Sequence, residues 1–194
     1  MNRAADVALA GSALVLASPV LALAALAVKL EDGGPVLYRQ TRVGRDGHDF
    51  ELLKLRTMVV GAETMGAGLS VNRGDSRITR AGRMLRKLSL DELPQLWNVV
   101  RGEMSVIGPR PTLRYQVEQY DERQRHRLDV KPGITGWAQV NGRAALPWAE
   151  RIELDVWYVE HRSPQLDMQI LARTPRALFG GTYKGDTGGW QPPG

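Results

Sequence analysis

The sequence contains no cysteine, which excludes disulfides, cysteine-ligated zinc and a thiol nucleophile. Its three histidines, His48, His126 and His161, are scattered without ligand spacing, so surface or packing roles are expected of them rather than a metal centre. No Gly-x-Gly-x-x-Gly follows a strand pattern, and there is neither a Gly-Lys-Ser phosphate loop nor a Gly-x-Ser-x-Gly elbow. Any nucleotide binding must therefore use other means. No internal repeat is visible. Lysine is scarce, with 5 against 21 arginines and a formal net charge of +5. That balance favours forked recognition of phosphate or carboxylate, with a plain compositional bias toward arginine as the bland alternative. At 194 residues and 43% hydrophobic content, the chain can bury one core, so one domain plus any membrane segment is expected.

What is present begins with an apolar run. Val7 to Val28 is 22 residues without a charge, long enough to cross a hydrocarbon core of about 30 Å. A cleaved signal peptide would want a more basic start and a shorter apolar region, although Ala22-Leu23-Ala24 mimics a cleavage site. Ser18-Pro19 sits at the midpoint, and Pro19 removes the backbone bond to the Val15 carbonyl. The Ser18 hydroxyl is placed to satisfy a freed carbonyl such as that of Leu14. Each limb of about 11 residues then reaches roughly 16 Å, half the hydrocarbon thickness. A helix-break-helix that enters and leaves by one face therefore competes with a spanning helix. The run holds eight alanines, and basic residues flank both ends. Physics alone places spanning slightly ahead.

Val36 to Val43 and His48 to Val59 read as strands around Gly44-Arg45-Asp46-Gly47, a hairpin with an Asp-Gly turn signal. Lys54 and Arg56 alternate on one strand face, where a solvated surface is the ordinary expectation. Gly61 to Gly74 reads as a glycine-rich loop. The arginines at 77, 80, 83 and 86 then drift round a helix as a basic stripe, suited to lipid headgroups, a pyrophosphate or nucleic acid. No aromatics interleave with it, which argues against nucleic acid. Leu113 to Lys131 reads as a charged helix and Ile134 to Arg143 as a loop. Pro147 to His161 reads as an amphipathic helix and Ser163 to Phe179 as a last helix interrupted by Pro175. The five tryptophans suit a protein lying at headgroup level, or else core packing, and Gly180 to Gly194 reads as a frayed tail.

The chemistry concentrates in Arg86 to Pro111. Asp91 and Glu92 stand between arginines and an apolar helix, closed by Gly108-Pro109-Arg110-Pro111. Ser89-Leu90-Asp91-Glu92 fits a capping box. Pro94 shifts the expected cap to Asp91, since a proline is better tolerated in the first helical turn. Asp91 would then stand at a positive helix end, with backbone donors left for an anion.

Taken in order, these blocks resemble one family. Ser18-Pro19, Lys54-Leu55-Arg56-Thr57-Met58, Arg77-Ile78-Thr79, Ser89 to Leu96, Gly108 to Pro111, Lys131 to Gly136, Gln139 to Arg143 and Glu153-Leu154-Asp155 match the bacterial sugar transferases. These are the monotopic phosphoglycosyl transferases that start glycan assembly on polyprenol phosphate. The resemblance runs from about Arg3 to Phe179. It implies an α/β, helix-rich fold: a re-entrant membrane helix-break-helix over 1–30, a small cytosolic catalytic domain over 31–179 with a β-hairpin and amphipathic interfacial helices, and a flexible tail over 180–194. That replaces the preference for a spanning helix.

The same resemblance implies that Asp91 attacks the β-phosphate of a UDP-sugar, releasing UMP, and that polyprenol phosphate then takes the phosphosugar. It gives Glu92 the role of metal ligand or base, with Asp91 and Glu92 holding Mg²⁺, and makes Lys54, Arg86, Arg110 and Arg143 substrate contacts. It places the catalytic domain on the cytoplasmic face of the bacterial inner membrane, with exopolysaccharide, O-antigen or glycoprotein assembly as the setting and homodimer formation left open. Nucleic acid is not an expected partner. Three positions depart from the family pattern: Ala5 where an aromatic is usual, Ser76 in place of a proline, and Ala144 in place of an asparagine after Asn-Gly-Arg. The multi-helix extension of larger members is not seen, which suggests a minimal catalytic form. A non-catalytic membrane-surface adaptor of a glycan assembly pathway is the alternative, and an intact Asp91, Glu92 and Arg110 weighs against it.

Overall fold

The computed structural model describes residues 2–66, 68, 71, 74–142 and 146–179. Helix α1 runs unbroken from Arg3 to Asp32. Asn2 caps it by accepting from the Ala5 amide at 2.9 Å, and Gly33 ends it in the left-handed region at φ 71°, where a side chain would be strained. Pro19 lies inside the helix. The carbonyl it cannot serve, that of Val15, accepts instead from the Ser18 hydroxyl at 2.7 Å. That repair explains why the helix continues, and it moves the expected hydroxyl partner from Leu14 to Val15. The two-limbed helix-break-helix is thus replaced, at the level of secondary structure, by one 30-residue helix.

Strands β1 (Leu37–Val43) and β2 (Asp49–Leu55) form the expected antiparallel hairpin, with Tyr38 opposite Lys54 and Arg42 opposite Phe50. Asp46 and Gly47 take positive φ at its tip, the conformation that such a turn demands. The second strand stops four residues earlier than expected at its C-terminal end: the Arg56 amide still donates to the Val36 carbonyl at 2.8 Å, while its side chain binds Asp32 and the carbonyls of Pro35 and Met58. Helix α2 (Arg80–Lys87) is capped by Thr79, whose hydroxyl accepts from Gly82. Helix α3 (Gln95–Arg101) begins after Pro94 with no side-chain cap. Ser89 sits at φ 54° and a single 3-10 turn covers Leu90–Glu92. Neither Ser89 nor Asp91 caps a helix, so both capping readings are corrected.

Strands β3 (Ser105–Ile107) and β4 (Gly133–Thr135) pair in parallel. The span read as one helix is instead two short ones, α4 (Arg114–Val117) and α5 (Glu122–Arg125), separated where Tyr120 turns inward at 5% exposure and Asp121 starts a new cap. The span read as a loop holds β4 and α6 (Trp137–Val140). Helices α7 (Trp148–Glu160) and α8 (Pro164–Phe179) follow, and Pro175 does not interrupt α8. The tail lies outside the described residues.

Among the described residues the core lies in four clusters, two of which include α1. Ala10 packs with Leu52, Leu96, Val99 and Met104. Ala24 and Val28 pack with Leu55 and Leu85. Polar ties fasten both ends of α1 to the same body. Arg3 donates to the Val99 and Val100 carbonyls, and Asp6 accepts from Ser105 and the Val106 amide. At the other end Glu31 accepts from the Arg80 and Ala81 amides, and Asp32 pairs with Arg56. The outward face keeps Leu9, Leu16, Leu23 and Leu30 exposed, with Leu16 at 81%.

Candidate active site

The fold places Asp91 and Glu92 in the wall of a cavity of about 900 Å³, lined on one side by β1 and β2 and on others by α2 and the turn at Arg110. The positive φ at Ser89 throws the chain into the 3-10 turn that presents both carboxylates. The two acids differ in their surroundings. Glu92 accepts from Lys54 Nζ at 3.1 Å and from Arg110 Nη2 at 2.5 Å. Burial works against its ionisation, but Arg110 and Lys54 outweigh that and hold its pKa well below the usual carboxylate range. Asp91 is 8% exposed and accepts no hydrogen bond from any described residue. Burial pushes its pKa up, against the pull of Lys54, and the neighbouring Glu92 adds to the rise. Asp91 is therefore a desolvated carboxylate with unoccupied lone pairs, and Glu92 is committed to its two cations.

Lys54 faces inward and not toward solvent. It is itself disfavoured as a cation by burial, with Glu92 as the compensating charge. Arg86 contributes its Nε to Thr57 Oγ1 at 2.8 Å and lines the cavity near Asp91. Lys54, Arg86 and Arg110 are thus brought together around the acid pair. Arg143 and Ala144 lie outside the described residues. The basic stripe does not survive intact, because Arg77 is buried before α2 begins. It pairs with Asp75 and gathers the carbonyls of Ala62, Met65 and Gly68, so it organises a loop.

Arg110 owes its position to the residues behind it. A Cβ on Gly133 would stand 2.1 Å from the Gly108 nitrogen, and one on Gly136 would stand 2.2 Å from the Gly108 carbonyl oxygen. Only glycine allows that approach. The Pro109 carbonyl accepts from the Gly133 amide at 2.8 Å, and the Arg110 carbonyl accepts from Arg127 Nη2 at 3.0 Å. Arg127 is 4% exposed and pairs with Asp155 of α7 and with the Tyr120 hydroxyl. Sequence reading missed Arg127 as a support. Its signal was the Glu153-Leu154-Asp155 block, which marks Asp155 but not its partner.

Two carboxylates with cations on either side, open to a cavity, suit the handling of a phosphorylated substrate. The description "bacterial sugar transferase" matches residues 1–181 of this chain. The chain belongs to that family. The sugar transferases it resembles include an uncharacterized member, EpsL, of Bacillus subtilis, 44% identical over 92% of this chain and 87% of that protein. Another is a UDP-glucose:undecaprenyl-phosphate glucose-1-phosphate transferase of Caulobacter vibrioides, 44% identical over 92% of this chain and 69% of the relative. A third is a UDP-N-acetylgalactosamine-undecaprenyl-phosphate N-acetylgalactosaminephosphotransferase of Aeromonas hydrophila, 42% identical over 93% of this chain but only 44% of the longer relative. This sugar transferase is accordingly an enzyme that moves phosphosugar groups, and its long apolar α1 fits association with a membrane.

Among the described residues no group of three or more acids and histidines is poised to hold a metal. An adjacent pair of carboxylates is nonetheless the donor set that suits Mg²⁺, which takes one or two carboxylates and completes its shell with water and substrate phosphates. Asp91 offers unoccupied oxygens for this purpose, and Glu92 has its Oε2 more weakly engaged, 3.4 Å from Arg110 Nη1.

Proposed function

We propose that the protein transfers a sugar 1-phosphate from a UDP-sugar to polyprenol phosphate through a covalent phosphosugar–Asp91 intermediate. The observation that carries this reading is the buried Asp91 carboxylate, unpartnered among the described residues and facing a cavity lined by Lys54, Arg86 and Arg110. A carboxylate oxygen of Asp91 attacks the β-phosphorus, the bond to the bridging oxygen breaks, and UMP leaves with that electron pair. An oxygen of polyprenol phosphate then attacks the same phosphorus, releasing the Asp91 carboxylate and giving a polyprenyl-diphosphate sugar. Arg86 and Arg110 hold the phosphates and meet charge as it develops. Lys54 keeps Glu92 ionised and in place. Asp91 and Glu92 would hold Mg²⁺, which would offset pyrophosphate charge and polarise its oxygens.

Helix α1 is the membrane element, and both of its ends stay on the cytoplasmic side of the inner membrane. What supports this is that Arg3 and Asp6 at one end and Glu31 and Asp32 at the other bind the same domain. A helix fixed in that way cannot put its ends on opposite faces of a bilayer. The exposed row Leu9, Leu16, Leu23 and Leu30 is the surface offered to lipid, so the helix stays in the leaflet that its two ends share and does not span the bilayer. The product fits the start of exopolysaccharide, O-antigen or glycoprotein glycan assembly.

To test the reading, the purified protein is incubated with Mg²⁺, polyprenol phosphate and a panel of UDP-sugars, and UMP is measured. At least one donor should give UMP and a lipid-linked phosphosugar. Lipid binding with no turnover of any donor would favour a membrane-surface adaptor and contradict the proposal.

A further inference from the structure

The hairpin's cavity-facing edge carries a residue to which the motifs assign no role. Tyr38, Gln40 and Arg42 alternate along β1, opposite Lys54, Leu52 and Phe50 of β2, and Tyr38, Gln40, Arg42 and Lys54 all line the cavity. Among the described residues, the fully buried arginines are each paired with a carboxylate: Arg56 with Asp32, Arg77 with Asp75 and Arg127 with Asp155. Arg42, which is half-buried, is different. Its Nε and Nη2 both donate to Gln40 Oε1, at 3.0 and 2.6 Å, and its Nη1 donates to the Pro111 carbonyl at 3.3 Å. These acceptors are neutral. They aim the guanidinium without cancelling its charge. Glu92, the acid whose field reaches it, is already engaged by Lys54 and Arg110.

Burial accordingly pulls the Arg42 pKa down to about 10, and Arg110 adds to the pull. The corner therefore packs cations together at a cost that an incoming anion removes. Arginine's planar fork suits phosphate oxygens, and the bond to Pro111 ties Arg42 to the turn that carries Arg110.

We propose that Arg42, oriented by Gln40, is a phosphate-binding residue of this site. The proposal rests on the transferase reading and extends it. The phosphate belongs either to the donor's pyrophosphate or to the polyprenol phosphate headgroup, and the two half-reactions separate these. Arg42→Gln removes the cation. Gln40→Glu keeps the arginine but supplies a built-in anion, and so tests the idea without emptying the site.

UMP release without acceptor is measured against UDP-sugar concentration, and full turnover is measured against polyprenol phosphate. Both variants should raise the half-saturating concentration of one substrate by roughly tenfold or more, as loss of a charged hydrogen bond implies, while Arg45→Gln at the exposed hairpin tip leaves both unchanged. A rise for the donor assigns the pyrophosphate, and a rise for the acceptor assigns the lipid headgroup. If both variants saturate within twofold of the parent in both arms, the proposal is overturned. If the unmodified protein releases no UMP from any donor, the transferase reading fails on its own, and titration of the full chain with inorganic pyrophosphate decides the remaining question. Weaker binding by both variants sustains the phosphate role, and unchanged binding ends it.

Discussion

At neutral pH an ionised Asp91 works against the fold, because burial and the adjacent Glu92 raise its pKa while it accepts no hydrogen bond from any described residue. The folded state therefore holds the Asp91 proton more tightly than the unfolded chain does. Stability from this group is complete below the unfolded value of about 3.9 and is lost as pH rises through the folded value. Glu92 runs the other way. Its lowered pKa gives stability that is present above the unfolded value and is lost only as pH falls through the folded one. Asp91→Asn should then raise the melting temperature at pH 7.5 while abolishing UMP release. In a chain of this size each 1 kcal/mol gained corresponds to about 2–4 °C. The gain should shrink below about pH 4, where the parent carboxyl is protonated as well. Thermal unfolding in detergent across pH checks this, and a variant that melts lower at neutral pH would contradict the burial account. Such a trade of stability for function is common where a reactive group is held in strain. With Asp91 as the proposed nucleophile, the acid limb of the parent's activity should lie above the ordinary aspartate value, since the proposed attack needs the carboxylate.

At the scale of elements, α1 is the test case. Composition left it between two topologies, because 22 uncharged residues satisfy a spanning length. The information that separates them is tertiary: which residues at each end find partners across the fold. Arg3 and Asp6 reach residues about a hundred positions away, and Glu31 reaches about fifty. No periodicity encodes such pairs. The absence of native cysteine makes the topology directly measurable. Single cysteines at the exposed positions Ala4 and Arg45 should both react with a membrane-impermeant maleimide in inverted vesicles, and neither should react in intact spheroplasts. Labelling of Ala4→Cys from the outer face would establish a spanning helix.

The hairpin was legible because its turn chemistry is local, with Asp46 and Gly47 both needing positive φ. The split of α4 from α5 was not, because it follows from burying Tyr120 against Arg127, a contact that helical spacing does not show.

For the whole molecule, the acid pair and three of its four expected cations were legible from motif order. The resemblance also implied different roles for Asp91 and Glu92. What it did not show is the physical asymmetry between them: Lys54 and Arg110 both engage Glu92, whereas Asp91 accepts no hydrogen bond from any described residue. Arg42 went unassigned because its proposed role depends on having no carboxylate partner among the described residues, and that is visible only once the hairpin is folded against the Arg110 turn. The molecule joins the cavity of the acid pair to a helix tied to the domain at both ends, and the proposed function uses that arrangement to bring a soluble donor and a lipid acceptor to one boundary.

The central claim is that the phosphosugar passes through Asp91. The direct measurement is intact and peptide mass spectrometry after acid quench of the enzyme with its UDP-sugar and Mg²⁺, in the absence of polyprenol phosphate. The expected result is a single phosphosugar adduct on Asp91, formed together with UMP, lost on adding polyprenol phosphate, and absent from Asp91→Asn. Turnover with no adduct, and UMP formed only when acceptor is present, would mean direct transfer and would contradict it.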